Sequence, residues 1–254
     1  MAGNSANPGV SVTARVLALL DAFDSDHRAL RLSDIARRAD LPLPTAHRLL
    51  AELVSWGALA RREDGRYVVG RRLWDLGLLA PARSGLREIA SPFLHDIYGA
   101  TLATVHLAVR EGTKVLYLDR LSGHASVPIV SQVGTRLPMH ATGVGKVLLA
   151  HAPEDVLFAV LSALDRVTPY TVTAPGRLRQ QLARVRQEGY AQTYEEMSLG
   201  ACSVAVPIHD PSNQVVAALG IVVASLKRDR ARLVAALEVA AQGIRRTLAR
   251  DSAQ

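Results

Sequence analysis

The chain has 254 residues, 49% of them hydrophobic, which is enough to fill two cores, and its net charge of +7 suits a polyanionic partner. A single cysteine, Cys202, excludes an intrachain disulfide framework and a multi-cysteine zinc site, and fits a reducing cytoplasm. Neither a basic-then-apolar secretory leader nor an apolar run of about 20 residues stands in the sequence, so no signal peptide and no membrane helix are expected.

After a short polar start, Val16, Leu19, Leu20 and Phe23 share one face of a helix expected over 12–23. Leu32, Ile35, Ala36 and Ala39 predict a second helix, with Ser33 placed to cap it. The run Asp40-Leu41-Pro42-Leu43-Pro44 breaks that helix, and Pro44 fits the first turn of the next, where a missing donor costs nothing. This third helix turns Leu49, Leu50, Leu53 and Val54 inward and carries Thr45, Ala46, His47 and Arg48 at its N-terminal end. That is the end which meets base edges in a helix-turn-helix; the competing reading of the stretch is an ordinary helix pair in a bundle. The runs 58–62 and 66–69, joined through Glu63-Asp64-Gly65, read as a β-hairpin, the wing of a winged helix. Arg61, Arg62 and Arg66 give the wing cations for phosphates. The candidate DNA contacts are thus Ser33, Thr45, Ala46, His47, Arg48, Arg61, Arg62 and Arg66. Residues 1–72 hold eleven arginines against eight acidic residues, so binding has to come from where cations stand and not from a uniformly basic block.

A further helix is expected over 71–80, with Leu73, Leu76 and Leu79 inward and Trp74 nearby; it ends at Pro81 and Ser84-Gly85. The expected organisation is a DNA-binding head over 1–70, a linker helix over 71–84 that is also a candidate dimer contact, and a second domain over 85–254. In that domain a helix stripe over 86–98 is interrupted at Ser91-Pro92, read as a cap and first residue of a new segment, or as a kink. The period then changes to two. Strands are expected over 105–109, 115–118, 126–130, 190–194, 203–208 and 215–223, and helices from the glycine turn at 143–145 to 151, then over 155–162, 175–188 and 229–248. These elements make an α+β protein, the second domain having a largely antiparallel sheet.

Several enzymatic readings fail on the residues. Gly143-Val144-Gly145-Lys146 invites a phosphate loop, but that motif needs glycine where His140 stands and Ser or Thr where Val147 stands. What survives is a glycine turn at a helix N-terminus, able to offer backbone N–H groups to an anion, or simply a tight turn. Cys202 beside an apolar strand reads as packing, the histidines lack paired ligand spacing, and Glu195-Glu196 point to opposite faces of a strand. Neither a metal nor another cofactor is expected.

These residues resemble the IclR family of bacterial transcriptional regulators along nearly the whole chain. The most specific block runs from Gly189 to Asp210, where Gly189, Glu196, Ser203, Val204, Ala205, Ile208, His209 and Asp210 fit the family signature and Thr193 stands where Asp or Ser is usual. Residues 137–146 resemble a second block and 41–50 a third, with Pro44-Thr45 where Ser-Thr usually opens the recognition helix. The resemblance implies an N-terminal winged helix-turn-helix, a linker helix and a C-terminal GAF-like effector-binding domain. It also implies dimers or tetramers on palindromic or paired operators in double-stranded DNA, and a small organic-acid effector. Carried over by position, the effector site would comprise Gly143, Val144, Thr193, Ser203, Gly220 and Val222. A site with threonine at 193 and apolar residues on the last strand favours an effector with one anionic group and an apolar or aromatic body. The expected function is a cytoplasmic, ligand-responsive regulator, repressor or activator, of genes for organic-acid or aromatic catabolism. The alternative is a small-molecule-processing enzyme carrying a DNA-binding head.

Overall fold

The computed structural model describes residues 11–24, 27–77, 84–123, 127 and 129–251. The chain divides into two compact units, 1–81 and 82–254.

In the first unit α1 (Val12–Asp21), α2 (Leu32–Arg38) and α3 (Leu43–Trp56) enclose a core in which Leu19, Ile35, Leu49 and Leu50 are fully buried. The Ser11 hydroxyl caps α1 by accepting from the Ala14 N–H at 3.1 Å. Ser33 does not cap α2: the helix starts at Leu32, Arg31 is the residue before it, and Ser33 sits exposed in the first turn. Pro44 is the second residue of α3, as its fixed φ allows. Gly57 ends α3 in the left-handed region at φ +86°, which only glycine adopts without strain. The wing strands β2 (Leu59–Arg61) and β3 (Tyr67–Val69) pair antiparallel, and β1 (Ala29–Leu30) adds to the far edge of β3. Between the wing strands, Gly65 at φ +79° and a 2.8 Å bond from the Arg62 N–H to the Arg66 carbonyl close a three-residue loop. The short helix α4 (Arg71–Gly77) follows. Leu73 packs on the head core, but Leu76 is 46% exposed and not inward as its spacing predicts; Leu79 lies outside the described residues.

The second unit is a six-stranded antiparallel sheet in the order β6-β5-β4-β9-β8-β7. Its strands are β4 (Thr104–Glu111), β5 (Lys114–Leu121), β6 (Arg136–Pro138), β7 (Ala191–Tyr194), β8 (Cys202–His209) and β9 (Val215–Val223). Helices α5 (Ser84–Thr101) and α9 (Arg230–Asp251) bury Val105, Leu107, Val204 and Leu219 on one face. Helices α6 (Gly143–Ala150), α7 (Glu154–Leu161) and α8 (Pro175–Glu188) cover Ala108, Ala205 and Ala218 on the other. Covered on both sides, the central strands β4 and β9 are each buried over six consecutive residues rather than at alternate ones.

Two expectations fail here. Of the two readings of Ser91-Pro92, the start of a new segment fails: α5 runs through Pro92, and the Ser91 carbonyl is met by His95 Nδ1 at 2.8 Å. The strand expected over 126–130 is absent at the described positions 127, 129 and 130, and β6 takes the place beside β5.

Candidate functional site

In the head, the exposed N-terminal end of α3 presents His47 and Arg48, with Thr45 half-buried beside them. Ala46 is fully buried against the core and has no surface to offer a groove; it faces inward with Leu49 and Leu50. Arg48 Nη1 reaches Glu52 one turn on, at 2.9 Å, with both side chains 63% exposed. Solvent screens such a pair, so releasing Arg48 to a base costs little. On the wing, Arg61 lies over the Tyr67 ring at 5.7 Å and Arg66 lies 3.7 Å from Asp64, while Arg62 is exposed. Ser33 is exposed at the start of α2.

In the second unit all six positions proposed for an effector, Gly143, Val144, Thr193, Ser203, Gly220 and Val222, line one cavity of about 480 Å³ including its mouth. The register explains their meeting. Thr193 of β7 lies opposite Ser203 of β8, which lies opposite Val222 of β9, so three adjacent strands project these side chains from the same face. Val222 therefore faces the cavity rather than the opposite core. The Thr193 and Ser203 hydroxyls are 2.6 Å apart. Above them, α6 begins so close that a Cβ on Gly143 would stand 2.6 Å from Ser203 Oγ, and one on Gly220 would stand 2.8 Å from Val144 Cγ1. These two glycines let the helix end approach the sheet. The Thr142 hydroxyl caps α6 by accepting the Gly145 N–H at 3.2 Å, so the donors left at the helix start are those of Gly143 and Val144.

Among the described residues the cavity lining contains no Asp, Glu, Lys or Arg. Sequence reasoning overlooked its polar residues on the other side: His106, Tyr117 and Ser131. His106 Nε2 lies 2.9 Å from Ser131 Oγ, and its ring meets Tyr117 edge-on at 4.9 Å. Burial, with the nearby Arg120 charge as a lesser cause, lowers the His106 pKa from 6.5 to about 3, so the imidazole is neutral. Burial also pushes the Tyr117 phenol up, against a hydrogen bond with Thr142. The signal for His106 was its place on a strand between buried neighbours, which becomes informative only once both sheet faces are known to be covered.

The lysine after the glycine turn does not enter this cavity. Lys146 is 1% exposed and donates to Glu196 Oε1 at 2.5 Å. Burial lowers the ammonium pKa and the carboxylate beside it pulls it back up. The Glu196 carbonyl accepts from Thr171 Oγ1 at 2.7 Å, which anchors the segment after β7. The pair thus fastens α6, whose start forms one wall of the cavity, to the stretch carrying Met197 and Ser198 in the other wall. Cys202 is buried, and burial raises its thiol pKa; Sγ lies 3.7 Å from the Ala224 carbonyl. A buried, protonated thiol is a poor nucleophile.

Residues 12–63 match the IclR helix-turn-helix domain model, and residues 80–246 match the model for the bacterial transcriptional regulator IclR C-terminal domain. The chain is 32% identical to the HTH-type transcriptional regulator XynR of Escherichia coli over 89% of its own length and 91% of that protein. It is 34% identical to the HTH-type transcriptional regulator BhcR of Paracoccus denitrificans, over 89% of this chain and 82% of that one. A crystal structure of an IclR homologue from Microbacterium hydrocarbonoxydans, complexed with 4-hydroxybenzoate, superposes with a TM-score of 0.90 at 40% identity, covering 94% of this chain and 99% of that one.

Proposed function

The chain belongs to the IclR family of bacterial transcriptional regulators, and from that premise we propose which residues read DNA, which bind the effector, and what kind of acid the effector is. As a family member it is a ligand-responsive regulator that binds DNA through its winged helix-turn-helix. Arg48, with His47 and Thr45, reads base edges in the major groove, while Arg61, Arg62 and Arg66 on the wing, and Ser33 at the start of α2, hold phosphates. The exposed end of α3 beside a cationic wing supports this division. The protein works in the cytoplasm, where its DNA lies, as a dimer or tetramer on a palindromic or paired operator.

The effector is an organic acid with one carboxylate and an apolar or aromatic body. The carboxylate meets the Gly143 and Val144 N–H groups and the Thr193–Ser203 hydroxyl pair, and the body lies against Val144 and Val222. The observation that carries this reading is a cavity with backbone donors and paired hydroxyls at one end and, among the described residues, no charged side chain in its lining. One anionic group can be satisfied there; a small, highly polar oxoacid would leave further groups without partners, at about 1–3 kcal/mol each. The aromatic acid in the homologue that superposes on 94% of the chain supports the same class. The proposed role involves no catalysis: among the described residues the cavity offers neither an activated nucleophile nor a carboxylate to serve as base, which weighs against the enzyme reading.

The test has two parts. Fragments of the source genome retained by the protein give the operator, and release from that operator is then followed across a panel of aliphatic oxoacids and aromatic monocarboxylates. Aromatic acids should alter retention at lower concentration than the smallest oxoacids. Preference for the oxoacids, or turnover of the added acid, would overturn the reading.

A further inference from the structure

The cavity has a second polar end that the carboxylate site does not use. His106 stands on β4 opposite Gly220 of β9, and Gly220 stands opposite Ala205 of β8. Ser203 lies two residues along β8 from Ala205, so His106 is two strands from Ser203, roughly 10 Å across the sheet, and three strands from Thr193 of β7. The apolar lining of the cavity includes Val144, Met197 and Val222. A ring carrying para substituents, with a hydrogen bond at each end, matches that separation; an unbranched two- or three-carbon acid does not reach both.

The chemistry of the second end is specific. His106 and Ser131 are 3% and 4% exposed, and their contact at 2.9 Å joins one ring nitrogen to a hydroxyl. Whichever of the two donates in that bond, the pair retains a donor and an acceptor to offer elsewhere, because a neutral imidazole and a hydroxyl each carry both functions. Those two functions stand on different atoms, Ser131 Oγ and the far ring nitrogen, and a hydroxyl, able to donate or to accept, meets whichever function Ser131 Oγ keeps. The Tyr117 ring, edge-on to His106, fixes the imidazole plane.

We propose that His106 and Ser131 form a specificity-determining subsite that recognises an uncharged hydroxyl at the end of the effector opposite its carboxylate, para on an aromatic ring. This rests on the carboxylate reading given above. A buried polar pair left facing a ring hydrogen loses hydrogen bonds it could otherwise make, so an acid lacking the hydroxyl is discriminated against.

Calorimetry on the full-length protein with benzoate, 3-hydroxybenzoate and 4-hydroxybenzoate tests this. The wild type should bind 4-hydroxybenzoate about 10- to 100-fold more tightly than benzoate or the meta isomer. His106→Phe, which keeps a ring against Tyr117, should bring the para-hydroxy and unsubstituted acids to within about threefold of each other. Ser131→Ala, the smaller change, should narrow the ratio in the same direction, and it provides the measurement if the histidine variant fails to fold. Equal binding of benzoate and 4-hydroxybenzoate by the wild type, or an unchanged ratio in a folded variant, would overturn the subsite and leave the carboxylate site standing. Binding of none of the three would overturn both.

Discussion

His106 also carries a pH consequence for the fold. In the folded protein its pKa is lowered from 6.5 to about 3, whereas the unfolded chain takes up a proton near the ordinary value. Between these two values the unfolded state holds the additional proton, so stability is full above about pH 6.5 and is lost as pH falls toward 3. Moving from pH 7 to pH 5 should remove about 2 kcal/mol through this one residue. Urea unfolding followed by far-UV circular dichroism at the two pH values, with His106→Gln as the control lacking that component, checks it. In the head, residue identity separates two kinds of contact. Arg48→Ala should cost roughly 1–3 kcal/mol and relax base preference at one operator position. Arg62→Ala should weaken all sequences about equally and lower the salt slope by about one unit. Binding measured across operator variants and salt distinguishes them, and identical behaviour of both variants would sink the assignment.

Among the elements, α6 is tied to the segment after β7 by a buried ion pair, Lys146 with Glu196. Lys146→Met leaves the Glu196 carboxylate buried without its cation and should destabilise by about 3–5 kcal/mol. Adding Glu196→Leu should recover most of that loss, because two apolar side chains need no desolvated charge to be balanced. Urea unfolding of the single and double variants decides it; equal destabilisation by both would mean that the pair serves packing rather than charge. This contact shows where sequence reading stops. The glycine turn and the helix after it were legible from local pattern, and the family motif reached six residues that line one cavity. The lysine's partner stands 50 residues on, and no periodicity links the two. Ser33 looked like a cap because serine commonly is one, yet the helix begins a residue earlier. Pro92 looked like a boundary, but a missing donor is tolerated inside a helix that α9 and the sheet hold in place. β1 is two residues long, too short for any period to appear. His106 stayed invisible because alternation on a strand tells which residues share a face and not what covers it.

At the scale of the whole molecule, one recognition helix contacts only a few base pairs, and the proposed pairing of two heads would supply the rest of the specificity. The proposed dimer places α4 at this junction. Leu73 is committed to the head core, whereas Trp74 and Leu76 are 63% and 46% exposed. Two large apolar side chains in sequence next to the head fit a surface that is covered on pairing. Leu76→Glu should therefore dissociate the dimer while leaving the head folded, whereas Leu73→Glu should unfold the head itself. If the heads are held at a set separation, binding should also depend on the phase of the half-sites. An insertion of about five base pairs between them should abolish tight binding, and an insertion of about ten should restore much of it. Sedimentation at micromolar concentration together with binding to these spaced operators tests the arrangement, and a wild type that sediments as a monomer and binds all spacings alike would rule it out.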